Sequence, residues 1–232
     1  MQAIILAGGK GTRLKPFTAS IPKPLMPIDD MPILEIVLKQ LRRAGFTDIV
    51  ITVNHMAELI MAFFGDGAKL GLNIIYSRED SPLGTAGPLG LIKKLDDNFL
   101  VMNGDLLTTL DYRDLHSFHV KNNSAATVST YTKETKIDLG VLKIENGELK
   151  DYIEKPVYTF DVSMGIYMFN RKIMPYIPAN AFFNMPDLIL KLRGQEKIMC
   201  YKKDYYWLDI GRVSDYETAV EIFKDRKAEF LP

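Results

Sequence analysis

Residues 1–14 read Met1-Gln2-Ala3-Ile4-Ile5-Leu6-Ala7-Gly8-Gly9-Lys10-Gly11-Thr12-Arg13-Leu14. Ala3–Leu6 is an apolar run only as long as a strand, and it leads straight into three glycines. A buried strand ending in such a loop lets backbone N–H groups come close to a phosphate, because glycine has no Cβ in the way. A tight turn after a strand would use the same glycines, so the residues around them must decide. An ATPase-type loop needs Gly-Lys-Ser or Gly-Lys-Thr after a glycine and four residues, whereas here Thr12-Arg13 follows Gly11 and the lysine precedes it. A dinucleotide fingerprint needs a third glycine where Leu14 stands, and Pro16, Pro22 and Pro24 bar a regular helix from following at once.

Working outward, short apolar runs alternate with helical patterns. Ala3–Leu6, Ile49–Val53, Leu72–Tyr76 and Phe99–Met102 read as strands, and Ile33–Ala44, Met56–Phe64 and Gly87–Lys94 as the helices between them. That rhythm predicts an α/β fold: a Rossmann-like three-layer α/β/α sandwich around a mostly parallel central mixed sheet. Pro32 and Gly45 punctuate the first helix, as a first-turn proline and a glycine cap would. After a helix over Tyr112–Val120 the chain becomes strand-rich at Ala125–Tyr131, Gly140–Ile144, Leu149–Glu154 and Ser163–Phe169, with Asn146-Gly147 as a hairpin turn. Arg171–Tyr176 and Pro186–Lys191 read as helical, Lys197–Tyr201 as a strand, and Val213–Phe223 as a helix with Val213, Tyr216, Val220 and Phe223 on one face. Without a repeat or linker, residues 1–232 are expected to form a single domain.

Lys plus Arg and Asp plus Glu both number 29, so net charge offers no case for a nucleic-acid or membrane partner. Any polyanion must be met locally. The lone cysteine, Cys200, cannot close an intramolecular disulfide, and its residue type suggests a small buried apolar group. The first strand lacks the basic lead-in of a signal peptide and no stretch reaches spanning length, so a cytoplasmic location is expected.

The local cations lie just beyond the glycines. Arg13 can fork onto phosphate oxygens, and Lys23, between Pro22 and Pro24, is expected in a stiff extended segment that folds back over the loop. Two acids complement them. Asn103-Gly104-Asp105 ends the strand Phe99–Met102, putting an acid at the carboxyl edge of a central strand, where α/β proteins bind ligands. Aspartate oxygen suits Mg²⁺ with phosphates completing its shell, although a turn-initiating Asp would look the same. Trp207-Leu208-Asp209-Ile210-Gly211 carries a second acid before a helix, where an N-terminal cap is the plainer reading.

The string from Gly8 to Thr18, followed by Pro22-Lys23-Pro24-Leu25, resembles the N-terminal signature of the sugar-nucleotide pyrophosphorylases, the nucleoside-diphospho-sugar nucleotidyltransferases. The resemblance runs from Met1 to about Phe223, with no C-terminal β-helix, and implies a glycosyltransferase-A-like nucleotidyltransferase fold. It implies an enzyme joining an NTP to a sugar 1-phosphate with Mg²⁺, most like mannose or heptose 1-phosphate guanylyltransferases using GTP. Thymidylyl, uridylyl or cytidylyl transfer, or an inactive nucleotide-sugar sensor, are the alternatives, and a homo-oligomer is compatible. By resemblance, Leu6, Gly8, Gly9, Gly11, Thr12, Arg13 and Gly104 hold the nucleotide, and Gly84-Thr85-Ala86-Gly87-Pro88, opening a helix, reads the base. Arg13, Lys23 and Asp105 act in catalysis, and Asp105 and Asp209 bind the metal. Gly140, Glu154, Lys155 and Ser163 meet the sugar phosphate, so the resemblance implies that 1–232 is one catalytic domain with 1–120 as its nucleotide-binding half and 121–232 as its sugar-phosphate-binding half. Leu139 stands where relatives often have tyrosine, and Ser163-Met164-Gly165 replaces their Asn-Ala-Gly, so this pocket departs most from the pattern.

Overall fold

The computed structural model describes residues 1–231. In chain order it runs β1 (Gln2–Leu6), β2 (Pro27–Ile28), β3 (Met31–Pro32), α1 (Ile33–Arg43), β4 (Asp48–Val53), α2 (Ala57–Phe64), β5 (Asn73–Arg78), β6 (Asn98–Asn103), β7 (Leu106–Thr108) and α3 (Tyr112–Lys121). There follow β8 (Ala126–Lys136), β9 (Val141–Glu145), β10 (Glu148–Ile153), β11 (Val157–Asn170), α4 (Met185–Leu192), β12 (Ile198–Lys202), β13 (Trp207–Asp209) and α5 (Val213–Phe230).

The main sheet has the order β12-β8-β11-β6-β1-β4-β5. β1 is parallel to both neighbours, β4 is parallel to β5 and β12 to β8, while β11 runs antiparallel between β6 and β8. β1 reads as an unbroken apolar run because both its faces are covered. Ala3 and Ile5 join a core with Leu34, Val37, Ile60 and Leu115 of α1, α2 and α3. Ile4, pointing the other way, joins Phe99, Val101, Phe169 and Leu188 of α4. The expected three-layer arrangement around a mostly parallel mixed sheet is thus observed. α5 covers a further cluster, packing Phe223 and Phe230 with Leu14, Ile28, Leu107 and Ile210. Among the described residues no helix is long and apolar enough to cross a membrane.

Several local expectations change. Gly87–Lys94 is not an α-helix but a short 3-10 turn over Gly87–Leu91. Two glycines and Pro88 make poor helix, and a Cβ on Gly87 would fall 2.7 Å from the Ala181 carbonyl. Lys23 is not extended: with Pro22 extended before it, Lys23–Leu25 forms a 3-10 turn. Cys200 is exposed on the edge strand β12 rather than buried. α5 continues past Phe223 to Phe230, with a kink at Arg226.

β8 and β11 are also longer than the apolar pattern, because their outer halves leave the sheet as a two-stranded ribbon pairing Thr132–Lys136 with Val157–Asp161. The hairpin β9–β10, a separate two-stranded sheet that lies between β8 and β11 in the chain, turns at Asn146 (φ 51°) and Gly147 (φ 83°), the left-handed pair that a two-residue hairpin turn needs.

Candidate active site

The site grows from the carboxyl end of β1. Leu6 lies in register with Thr52 of β4 and Asn103 of β6, and the flanking loops are tied in by the Ala7 amide donating to the Thr52 carbonyl (3.0 Å) and the Gly104 amide to the Leu6 carbonyl (3.0 Å). The glycine loop leaves the sheet here. Gly8 is closely approached: a Cβ there would come within 2.9 Å of Glu79 Oε1 and 3.3 Å of Asn54 Cβ. Gly11 is left-handed (φ 60°), and its carbonyl accepts from Thr18 Oγ1 (2.8 Å), which pins the far end of the loop. Thr12–Leu14 then makes one 3-10 turn whose Leu14 is fully buried. The loop borders a cavity of about 520 Å³ whose other walls include Lys23, Glu79, Gly84, Thr85, Gly104 and Asp105. Leu6, Gly8, Gly9, Gly11, Thr12 and Arg13 all line it.

Asp105 and Asp209, distant in sequence, are brought together by two short strands. β7 and β13 pair antiparallel with Asp209 opposite Leu106, and the Ile210 amide donates to the Asp105 carbonyl (3.2 Å). Asp209 is therefore a strand residue and not a helix cap; Arg212 occupies the cap of α5, its amide donating to Asp215 Oδ2 (2.8 Å). Trp207 anchors the strand, its Nε1 donating to the Met164 carbonyl (3.0 Å). Burial and the neighbouring Asp105 charge push the Asp209 carboxyl above the usual range, while Lys23 and Arg13 pull it back. Lys23 forms an ion pair with Asp105 Oδ2. Arg13 lies over Gly211, its guanidinium 3.4 Å from where a Cβ would project. Asp105 Oδ1 is buried and accepts no hydrogen bond among the described residues. A buried carboxylate oxygen left without a partner is costly, and a cation or ligand donor at this point would satisfy it.

Gly84 is left-handed (φ 78°), and a Cβ there would meet the Phe183 carbonyl at 2.6 Å. Thr85 uses its hydroxyl structurally, accepting from the Met185 amide (2.7 Å) at the start of α4. The wall residues that escaped the sequence reading include Thr52, Asn54, Glu79 and Phe182. Glu79 is only 8% exposed; its Oε2 accepts from the Leu83 amide (3.0 Å), and burial raises its pKa against that bond. Ser77-Arg78-Glu79-Asp80 looks like a solvated turn, and an acid five residues before Gly84 was the only signal to hand. Phe182 also lines the cavity, from the loop before α4.

Gly140, Glu154, Lys155 and Ser163 do not line this cavity; Gly140, Glu154 and Lys155 lie in the segment between β8 and β11 that carries the hairpin, and Ser163 stands in β11 opposite Thr130, within the sheet. Tyr152 covers Gly140 so closely that no Cβ fits, and donates to Glu154 Oε2 (3.0 Å). Lys155 is left-handed (φ 45°), a conformation that costs a long side chain energy and marks the bend between β10 and β11. Ser163 Oγ is hydrogen-bonded to Tyr167 Oη (2.9 Å).

Comparison with known proteins points the same way. The chain is 36% identical over 95% of its length to a UTP–glucose-1-phosphate uridylyltransferase of Synechocystis, covering 62% of that protein. It is 33% identical over 93% of its length to a mannose-1-phosphate guanyltransferase of Yarrowia lipolytica, again covering 62%. The chain thus spans about three-fifths of the length of these curated relatives. Its fold superposes on HddC of Yersinia pseudotuberculosis, solved in complex with GMP-PN, with a TM-score of 0.73 and 26% identity over 96% of this chain and 99% of that one. Residues 2–226 match the family model described as nucleotidyl transferase, and the chain belongs to that family.

Proposed function

We propose that this chain transfers a nucleotidyl group from an NTP to a sugar 1-phosphate and releases pyrophosphate, and that the pair is GTP with mannose or heptose 1-phosphate. The observation that carries the reading is the pairing of Asp105 and Asp209 beside the glycine loop, with Lys23 and Arg13 at the same place. Two acids and two cations at the rim of a phosphate-sized loop suit neither a structural core nor a hydride transfer. They suit a polyphosphate whose charge must be met while one of its bonds breaks.

In this reading the sugar-phosphate oxygen attacks the α-phosphorus in line. One P–O bond forms, the α–β bridging P–O bond breaks, and its electron pair leaves with pyrophosphate. The phosphate dianion is already a competent nucleophile, so no side chain need be covalently modified. The protein's work is positioning and charge neutralisation. The backbone from Gly8 to Gly11 cradles the triphosphate, while Arg13 and Lys23 offset its charge. Glu154 and Lys155, carried in the segment between β8 and β11, are assigned to the incoming sugar phosphate.

Asp105 and Asp209 would hold Mg²⁺. The donor set fits: two hard carboxylates, one with an orphaned buried oxygen, leave the remaining positions to phosphates and water, the usual pattern for this ion. When bound, the ion supplies Lewis-acid stabilisation of the phosphate oxygens.

Glu79 favours guanine. An ionised carboxylate only accepts hydrogen bonds, and guanine's Watson–Crick edge offers two adjacent donors, N1–H and N2–H₂. Uracil and thymine offer one donor between two acceptors. The relatives named above act on glucose 1-phosphate and mannose 1-phosphate, so both sugars belong in the test. Pyrophosphate release is measured for each NTP against hexose, heptose and amino-sugar 1-phosphates, with and without Mg²⁺. Release with GTP and a hexose or heptose 1-phosphate, lost without Mg²⁺, is the expected result. Nucleotide-sugar binding with no pyrophosphate from any pair would point to an inactive sensor instead.

A further inference from the structure

The mouth of the nucleotide cavity carries an aromatic ring for which the fold has no use. Phe182 lines the cavity beside Pro82, Gly84 and Thr85, yet it remains 65% exposed. Phe183, the next residue, packs against the core that holds Ala86 and Leu188. A lone exposed phenyl is ordinary on a protein surface, so exposure by itself argues little.

The backbone beneath it argues more. The Phe183 amide donates to the Leu83 carbonyl (2.9 Å), and the Phe183 carbonyl accepts from the Ala86 (2.9 Å) and Gly87 (3.0 Å) amides. On the other side, the Ala181 carbonyl sits where a Cβ on Gly87 would come within 2.7 Å. Thr85 Oγ1, taking the Met185 amide, closes a further link between the same two segments. Phe182 therefore follows Ala181, which lies against Gly87, and precedes the hydrogen-bonded Phe183. Its backbone is placed at the cavity rim before any ligand arrives.

We propose that Phe182 is the stacking platform for the nucleobase of the bound NTP. This rests on the nucleotide-binding reading above and deepens it. Glu79 would meet the donor edge of the base, and the phenyl ring would cover its face. A phenyl has only two side-chain torsions to order, and a clamped backbone leaves little entropy to lose on binding. Stacking accepts any base, so Phe182 contributes affinity for the nucleoside while Glu79 contributes the choice among bases.

The test is calorimetric binding of GTP in the presence of Mg²⁺ to the wild-type protein, Phe182→Ala and Phe182→Tyr, with inorganic tripolyphosphate as a base-free probe. Phe182→Ala is expected to weaken GTP about tenfold. Phe182→Tyr should restore the affinity, and tripolyphosphate should bind all three alike. GTP bound equally by the alanine variant and the wild type overturns the proposal, as does parallel weakening of tripolyphosphate. Wild-type pyrophosphate release is read alongside. Base-dependent weakening without turnover upholds stacking and overturns transfer, and a wild type that binds no NTP overturns both.

Discussion

Lys23 and Asp105 are ion-paired across 82 residues of chain, with their side chains only 11% and 23% exposed. The lysine covers one carboxylate oxygen and, among the described residues, leaves the other buried without a partner. A half-satisfied acid of this kind fits the Mg²⁺ proposed above. Asp105→Asn keeps the shape and removes the charge, and Lys23→Met removes the cation while keeping the stem. Each is expected to lower turnover on the order of 10²–10³, with far-ultraviolet circular dichroism unchanged. EDTA should abolish activity and Mg²⁺ restore it. Wild-type turnover in either variant would remove that residue from the chemistry.

How much of this could be read from residues alone differs by region. β1, β4 and β6 were legible because a strand buried on both faces is an uninterrupted apolar run, and Gly8 and Gly11 were legible because glycine suits a loop that runs close to its neighbours and, at Gly11, turns left-handed. β7 and β13 were not: three residues each carry no periodicity, and only tertiary pairing makes Asp209 a strand residue. Glu79 hid in a charged turn because burial is a property of the neighbours, here Gly8 and Asn54. The ribbon was underestimated for the opposite reason, since its outer strands cover no core and so lack an alternating apolar pattern.

Glu79 provides a sharper test of base choice than any survey of relatives. Glu79→Gln replaces an acceptor-only group by one donor and one acceptor. One of guanine's two donors then faces an N–H, and an unpaired buried polar group costs about 1–3 kcal/mol. kcat/KM for GTP should fall by at least about tenfold, and the ratio of UTP to GTP use should rise. An unchanged ratio would place base selection elsewhere.

His119 makes folding sensitive to acid. It is fully buried with Nδ1 hydrogen-bonded to Thr127 Oγ1 (2.8 Å), and its Nε2 has no partner among the described residues. Burial lowers its pKa from 6.5 to about 4, with smaller contributions from His116 and Lys172. The unfolded chain therefore binds a proton that the folded chain refuses between pH 6.5 and about 4. Stability from this group is complete above pH 6.5 and is lost as the pH falls through that window, by roughly 3 kcal/mol in all. Urea titrations at several pH values across the window should show the loss for wild type and a shallower one for His119→Gln. Equal slopes would assign the acid sensitivity to carboxylates.

Gly165 and Gly147 separate backbone strain from damage to the site. Both are left-handed, at φ 72° and 83°. An alanine at either should lose about 1–2 kcal/mol for that conformation alone. They differ in what surrounds them. A Cβ on Gly147, at the hairpin tip, meets nothing within 4 Å, whereas one on Gly165 falls 2.6 Å from Asn103 Nδ2. Asn103 ends β6, lines the cavity beside the glycine loop and lies in register with Leu6. Gly165→Ala therefore displaces the Asn103 side chain, and it is expected to weaken GTP binding as well as lower the urea midpoint. Gly147→Ala should leave GTP binding at the wild-type level. The same loss of GTP affinity in both variants would mean that the contact between Gly165 and Asn103 has no part in forming the site.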